Sequence, residues 1–457
     1  MTGCPHAPPE VTAGRLMGSA LAIRRDPLAA YADAAQHGDV VTLRIGPVVT
    51  RPSPHLVSHP DGVQHVLAAG GAVYAKGDPT FVEMRRWFGD GVLMMDGEPW
   101  RVRRRMLQPL FTARQVAAFD HLMAAETDQL VDRWMAAARS GIPVDVNEDM
   151  AAFTMLLLSR VLMGGDADAA LRPITSAYPV LNRHVLRRLT SPVPFGAHLP
   201  SPSNIRAKSA RAKVTAAARA VVDRRIEQGK PTGREDLVDR LLAAEDPETG
   251  VSMSRTDIVN ELVTFLLAGQ ETTATALVTT LYLLAQHPEV QDEVRAQVDD
   301  VLSGRACEAS DIDDLTAIGR ALHESMRLYP PVWGITRQCT EDSEVGGHTI
   351  ARGRTVAVSQ WVTHRDPRWW PSPTSFDPDR WDDPEVAERH RYGWFPFGGG
   401  PRACIGRRFA LQEATIALAG ILQRFRLQPV TTELHVQAGV TLTPSEPVYI
   451  QLAARAS

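Results

Sequence analysis

The segment Phe397-Gly398-Gly399-Gly400-Pro401-Arg402-Ala403-Cys404-Ile405-Gly406 constrains this chain more than any other: one cysteine stands in a glycine-rich loop, behind an arginine and ahead of a helical pattern. Gly398, Gly399 and Gly400 permit positive φ and let backbone N–H groups turn toward one point, which forms a concave site for negative charge. Phe409 to Ala419 reads as a largely apolar helix, and the positive N-terminal end of a helix lowers the pKa of a nearby thiol. The loop is thus expected to present a single thiolate to a metal. Zinc and iron–sulfur centres need several cysteines or histidines at short spacing. None lies near Cys404, so a lone thiolate points to haem. A glycine turn holding a buried structural cysteine is the other reading of these residues.

The 457 residues correspond to about three average domains, a prior that large single folds break. A hydrophobic fraction of 44% supports an extensive core, and a formal charge of −4 recruits neither nucleic acid nor an anionic membrane. Cys4, Cys307, Cys339 and Cys404 have no short spacing, which fits a reducing cytoplasm. The apolar stretch Leu16 to Ile23 falls far short of the roughly 20 residues of a membrane span, so neither signal peptide nor anchor is expected.

Val40 to Gly46 and Thr50 to Ser58 read as a β-hairpin region, and Pro60 to Ala69 as a helix. Gly70 to Gly97, broken by glycines and Pro79, reads as loop, although Phe81, Val82, Met84, Trp87 and Phe88 are more apolar than a solvated loop requires. Apolar spacing of three and four predicts helices over Trp100 to Leu110, Gln115 to Arg139, Met150 to Met163, Asn204 to Gln228 and Asp236 to Glu245. Leu189 to Ser203, with four prolines and a glycine, reads as a connection. Ser254 or Thr256 can cap a long helix that ends near His287, where Pro288 opens another to Leu302. A further helix is expected over Asp313 to Leu328, then short strands within Val345 to Ser359.

With Phe397, Gly400, Arg402, Cys404 and Gly406, the loop fills every fixed position of F-x-x-G-x-R-x-C-x-G. On these residues the chain resembles the cytochrome P-450 (haem-thiolate monooxygenase) family, and the resemblance covers nearly its whole length. It implies a mainly α fold with a smaller β-rich part, haem b lying between the long central helix and the Cys404 loop. It also implies one haem domain over residues 1–457, with an extended N-terminal segment at 1–25 and no fused reductase, as in soluble bacterial-type members.

Ala268-Gly269-Gln270-Glu271-Thr272-Thr273 resembles the family's oxygen-activation motif. A mid-helix hydroxyl can bond the carbonyl four residues back, here that of Ala268, and Gly269 makes the same place easier to distort. By resemblance Thr272 donates to bound oxygen and Glu271 relays protons; taken alone, these residues also suit the solvated face of an amphipathic helix. Trp100 and Arg104 share a helical face at i and i+4, as in the family's W-x-x-x-R element, and with Arg402 and Arg337 they are expected to hold the haem propionates. Glu324 and Arg327 resemble the E-x-x-R element, completed by Arg380 of Phe376-Asp377-Pro378-Asp379-Arg380, a scaffold triad bracing the cysteine loop. His364-Arg365-Asp366-Pro367 resembles a structural turn of the family. Arg101, Arg103, Arg105, Arg407 and Arg408 form a basic cluster that reads either as a solvated face or as a docking patch for an acidic electron donor.

The resemblance implies a monooxygenase that converts R–H to R–OH with dioxygen and two electrons from a separate ferredoxin or flavodoxin and its reductase. The substrate wall is expected from Phe81, Val82, Trp87, Phe88, Phe265, Ala268, Val332, Trp333, Ile335 and Leu442, an apolar set suited to a terpenoid, fatty acyl or polyketide-type molecule. Trp333 is expected to narrow the space above the haem. The chain is read as a monomer. A peroxide-using or non-oxidative haem-thiolate enzyme shares the cysteine loop but departs from the acid–threonine pair, intact here. A haem-binding sensor would need neither relay nor apolar chamber.

Overall fold

The computed structural model of the protein describes residues 7–11, 19–44, 53–69, 72–189, 201–229 and 236–455. Its axis is the helix Arg255–Gln286, started by a capping box in which Ser254 and Asp257 satisfy each other's backbone N–H groups at 3.2 and 3.0 Å. His287 ends it and Pro288 opens the next helix, Pro288–Leu302.

The first part of this central helix, Ile258 to Leu267, shares an apolar core with the helices Val146–Met163, Ala167–Leu189, Pro202–Glu227 and Leu237–Ala243. Its last part, Ala274 to Ala285, shares a second core with Asp120–Ser140, Thr316–Leu328 and Arg407–Arg424. Between the two cores Ala268 is exposed and Gly269, Glu271 and Thr272 are half-buried. A helix buried along almost its whole length thus opens at one turn, and there it borders a cavity.

The β-rich part is a six-stranded sheet in the order Glu10–Val11, Val40–Leu43, His55–Val57, Thr355–Val358, Ile335–Cys339, Tyr74–Ala75. Val40 pairs with Val57 and Arg337 with Val356, which brings Arg337 to the cavity edge. Near the C-terminus, Phe425–Pro429 pairs with Tyr449–Ala454, which pairs in turn with Val144–Asp145, while Val436–Ala438 and Leu442–Pro444 form a separate ribbon.

Several expectations need correction. Pro79–Phe88 is a helix, not loop: Pro79 occupies its first turn and Asp78 caps it, accepting from the Thr80 N–H at 2.9 Å. The prolines and glycines there mark element ends. Ala167–Leu189 is a helix that the sequence reading left unassigned, because Pro173 and Pro179 lie inside it. Its buried face of Ile174, Ala177, Tyr178, Leu181 and Val185 packs into the core, and that packing overrides propensity. The expected helix from Gln115 is divided into Ala113–Ala117 and Asp120–Ser140. The N-terminal segment is not wholly extended, since Ala20–Arg25 is helical. Most of the Leu189 to Ser203 connection lies outside the described residues. Val146 to Arg188 is apolar and long enough to cross a membrane, but 67% of its most apolar stretch is buried in the fold and Gly164–Asp166 interrupts it.

Candidate active site

The cavity measures about 930 Å³, at the upper end of the roughly 300–1,000 Å³ usual for small-molecule sites. Phe397, Cys404 and Gly406 border it from the cysteine loop, and Ala268, Gly269, Glu271 and Thr272 from the central helix. It extends past Phe81 and Trp333 to Tyr31, Pro27, Arg24 and Ile23.

Gly398 and Gly400 adopt φ of +68° and +64°, whereas Gly399 is extended. A Cβ on Gly400 would lie 2.2 Å from the Leu67 carbonyl oxygen, so only glycine lets the loop settle against the helix Pro60–Ala68. The Cys404 N–H donates to the Phe397 carbonyl at 2.9 Å, which turns the sulfur-bearing residue to the cavity. The expectation of a thiol poised as an anion by the protein alone is not met. Burial pushes the Cys404 thiol up; the Gly406 N–H, Arg104 and Arg407 pull it down by less. Gly406 is the N-cap of Arg407–Arg424, and its helix-end effect is outweighed by desolvation.

Four cations converge on one edge. The Lys76 ammonium donates to the Leu93 carbonyl at 2.6 Å, Arg104 to Ala403 at 3.1 Å, Arg337 to Thr336 at 2.8 Å and Arg402 to Met95 at 3.1 Å. Arg402 also pairs with Asp96 and lies over the Trp100 ring at 4.1 Å, while its buried Nε has no partner among the described residues. Burial lowers the pKa of all four, that of Lys76 well below its ordinary value and that of Arg337 to about 10, and crowding by one another adds to this for Lys76 and Arg337. Asp96 is their one salt-bridged carboxylate among the described residues. Such an excess of buried positive charge suits an anionic group. Haem b, with two carboxylates and a need for one axial ligand, fits this edge together with Cys404. Lys76 was missed in the sequence reading, because nothing in its neighbourhood marks it.

Across the cavity, Thr272 Oγ1 donates back to the Ala268 carbonyl at 2.7 Å, the bond that the sequence suggests. The helix is continuous there, and a Cβ on Gly269 would meet Leu158 Cδ2 at 2.9 Å. Glu271 is clamped by two neutral donors: Asn182 Nδ2 reaches Oε1 at 2.8 Å and the Thr441 hydroxyl reaches Oε2. Burial raises the Glu271 pKa, and the two hydrogen bonds offset this in part. Neither Asn182 nor Thr441 belongs to a motif, so neither was anticipated.

Phe81, Phe265, Val332, Trp333 and Ile335 line the cavity. Val82, Trp87, Phe88 and Leu442 do not. Helical geometry turns Val82 outward, 48% exposed, and buries Trp87 and Phe88 in the core, where the Trp87 indole donates to Glu83 at 3.0 Å. Leu442 is fully buried in its ribbon, and the preceding Gly439, Val440 and Thr441 face the space instead. Trp333 is pinned by a 3.0 Å bond from its indole to the Gly439 carbonyl.

Arg327 makes two 2.8 Å bonds to Glu324, and Arg380 reaches Glu324 at 2.9 Å, all within the buried interior. Arg327 also donates to the His364, Pro373 and Ser375 carbonyls, tying the helix Thr316–Leu328 to the irregular chain that leads to the cysteine loop. His364 is fully buried, its Nε2 accepting from the Phe395 N–H at 2.9 Å. The basic cluster is smaller than its residues suggest. Arg103 is buried against Asp257 and Glu261, Arg105 is tied to Asp246, and Arg101 pairs with Glu98. Arg407 and Arg408 are exposed beside Cys404.

The sequence profile of the family described as Cytochrome P450 matches residues 8–452. Cyclooctatin synthase of Streptomyces melanosporofaciens is 37% identical over 94% of this chain and 92% of its own length. Cyclooctat-9-en-7-ol 5-monooxygenase of the same organism is 34% identical over 91% and 88%, and pentalenene oxygenase of Streptomyces avermitilis is 29% identical over 90% and 89%. The crystal structure of the cytochrome P450DA heme domain superposes with a TM-score of 0.87 at 29% identity, covering 99% of this chain and 98% of that one. The chain belongs to the cytochrome P450 family, the monooxygenases that hold haem b through a cysteine thiolate.

Proposed function

We propose that this enzyme hydroxylates or epoxidises an apolar terpenoid, using dioxygen and two electrons from a separate ferredoxin or flavodoxin. The observation that carries the reading is one cavity bordered by Cys404, by the Ala268–Thr272 opening of the central helix and by four cations, Lys76 and Arg337 buried, Arg104 and Arg402 half-buried. Relatives named for terpenoid oxidation support the substrate class, and so does the apolar wall of Phe81, Phe265, Val332, Trp333 and Ile335.

Haem b on a cysteine thiolate supplies the reductive activation of dioxygen. In our assignment Cys404 would ligate the iron, while Trp100, Lys76, Arg104, Arg337 and Arg402 would take the propionates. Charge-assisted bonds in a desolvated site orient a planar dianion firmly. Gly400 and Gly406 shape the loop, and Phe397, Ala268 and Gly269 would border the group within the cavity.

Thr272 spends its hydroxyl proton on the Ala268 carbonyl in this structure, so it accepts from a neighbour in this rotamer and donates into the cavity after turning. Glu271 is built to hold a proton: its pKa is raised, and its partners are neutral. The pair forms a proton store and a hydroxyl gate at the cavity rim. Glu324, Arg327 and Arg380 hold scaffold geometry and take no part in proton transfer. Arg407 and Arg408, exposed on the cysteine side, suit an acidic electron donor. We assign the protein to the cytoplasm, in keeping with the free thiols of Cys307 and Cys339.

The deciding experiment is the absorption spectrum of the reduced protein saturated with carbon monoxide. A strongly red-shifted Soret band is expected. A histidine-type band, or no haem in folded and haem-supplemented protein, overturns the Cys404 assignment.

A further inference from the structure

Two polar side chains that line the cavity have no part in the chemistry above. Asp78 is 1% exposed and lines the cavity. Its Oδ1 is occupied, accepting from the Thr80 N–H at 2.9 Å and from Thr336 Oγ1 at 3.1 Å. Its Oδ2 is buried with no hydrogen-bond partner among the described residues. Capping a helix needs only one of these oxygens, and a buried carboxylate oxygen left unpaired is costly enough to require an explanation.

Tyr31 lines the same stretch, with its ring edge-on to Trp333 at a centroid distance of 5.4 Å. The ring is buried, and its hydroxyl makes no hydrogen bond to the described residues, Asp78 included. Burial and the Asp78 charge push the phenol up to about 12, so the hydroxyl remains a donor throughout the neutral range. The two groups thus sense each other without bonding; Trp333 packs on Tyr31, Thr336 holds the other oxygen of Asp78, and Arg337 is the cation that acts on Asp78.

We propose that Asp78 and Tyr31 form a subsite for a hydroxyl group already present on the substrate, which donates to Asp78 Oδ2 and accepts from the Tyr31 hydroxyl. An alcohol supplies both halves from one oxygen, whereas a carbonyl or ether oxygen has no proton to donate to Oδ2. The inference rests on the terpenoid reading and narrows it from hydrocarbon to alcohol. The reaction then follows one that installs the first oxygen, either water capture of a cyclisation cation or an earlier hydroxylation. It adds oxygen at a carbon set by the distance from this anchor to the Cys404 loop.

The test is a spectral binding titration of the holoenzyme with matched pairs on one skeleton, ent-kauran-16-ol against ent-kaurane and cedrol against cedrane. At least one alcohol should bind about 10-fold or more tightly than its hydrocarbon, the range of a hydrogen bond to a charged group. Asp78→Asn, which keeps a capping oxygen, and Tyr31→Phe, which touches no cap, should each shrink that preference several-fold. Equal binding within every pair, no binding by either alcohol, or an undiminished preference in both variants overturns the subsite. The carbon monoxide spectrum of the same preparations separates this from failure of the haem-thiolate assignment, since loss of the subsite leaves that band in place.

Discussion

Along one part of the cavity lining four cations gather, each donating to a backbone carbonyl, and Arg402 pairs with the Asp96 carboxylate as well. Beside them Asp78, which feels the Arg337 charge, and Tyr31 bring one unpaired carboxylate oxygen and one phenol to the same lining. The first set is strained by its own charge and gains when a dianion arrives. The second offers one carboxylate oxygen and one phenol, and selects by a single hydrogen-bond pair. Anchoring and discrimination are therefore carried by different physics in one space. Desolvated charge gives affinity for a constant group, and a sparse polar pair gives specificity for a variable one.

The largest effects should come from breaking the anchoring set. Cys404→Ala is expected to abolish donor-dependent hydroxylation and the red-shifted carbon monoxide band together; retained hydroxylation would refute the ligand assignment. Gly400→Ala places a Cβ in the left-handed region and against Leu67. It should cost about 2–5 kcal/mol, read as a lower melting temperature and poor haem retention. Arg337→Leu tests the charge argument more sharply, because it predicts opposite signs. Haem should transfer to apomyoglobin roughly 10- to 100-fold faster, while the apoprotein keeps or gains stability on losing a buried, crowded cation. A fall in apoprotein stability equal to the loss in haem affinity would make Arg337 a plain packing residue.

What could be read from the sequence follows the same division. The anchoring set is written in contiguous or helix-periodic motifs, Phe397 to Gly406 and the Trp100/Arg104 pair, because one ligand atom and two carboxylates impose fixed spacing. Lys76 escaped, lying in a stretch that breaks both periods. The discriminating pair and the proton relay are assembled from distant pieces: Asp78 meets Thr336 across 258 residues, and Glu271 meets Asn182 and Thr441 across 89 and 170. No local pattern records such encounters. The helix Pro79–Phe88 was hidden for a related reason, since Gly77, Pro79 and Gly89 are its boundary signals and resemble a loop when the short run between them is not read as a turn of helix. Placing Val82, Trp87 and Phe88 in the substrate wall followed from that reading, and so did its failure.

Glu271 sits between the two regimes, and its titration separates them. Its pKa is raised, so it holds its proton to a higher pH than an exposed glutamate and gives it up as pH climbs through the raised value. Product formed per electron consumed should therefore fall on the alkaline side. Glu271→Gln should lower turnover by about 10- to 100-fold and flatten that limb. Thr441→Val removes one of the bonds that favour the charged form, and should move the limb to higher pH with little loss at neutral pH. An alkaline limb unchanged in both variants would assign the titration to another group.

The smallest effect expected belongs to Gly269, where two terms nearly cancel. Alanine gains about 0.8–1.0 kcal/mol over glycine within a helix. Its Cβ, however, would stand 2.9 Å from Leu158 Cδ2, which ends a flexible side chain, so the overlap should cost about 1 kcal/mol. Gly269→Ala is thus predicted to leave the melting temperature within about 2 °C of the parent. Gly269→Val should show the overlap term nearly unopposed, because valine lacks most of alanine's helix advantage and cannot turn both methyls from Leu158. If alanine proves as damaging as valine, the helix Val146–Met163 cannot yield at this crossing, and the opening at Ala268 is a rigid feature of the central helix that substrate does not shape.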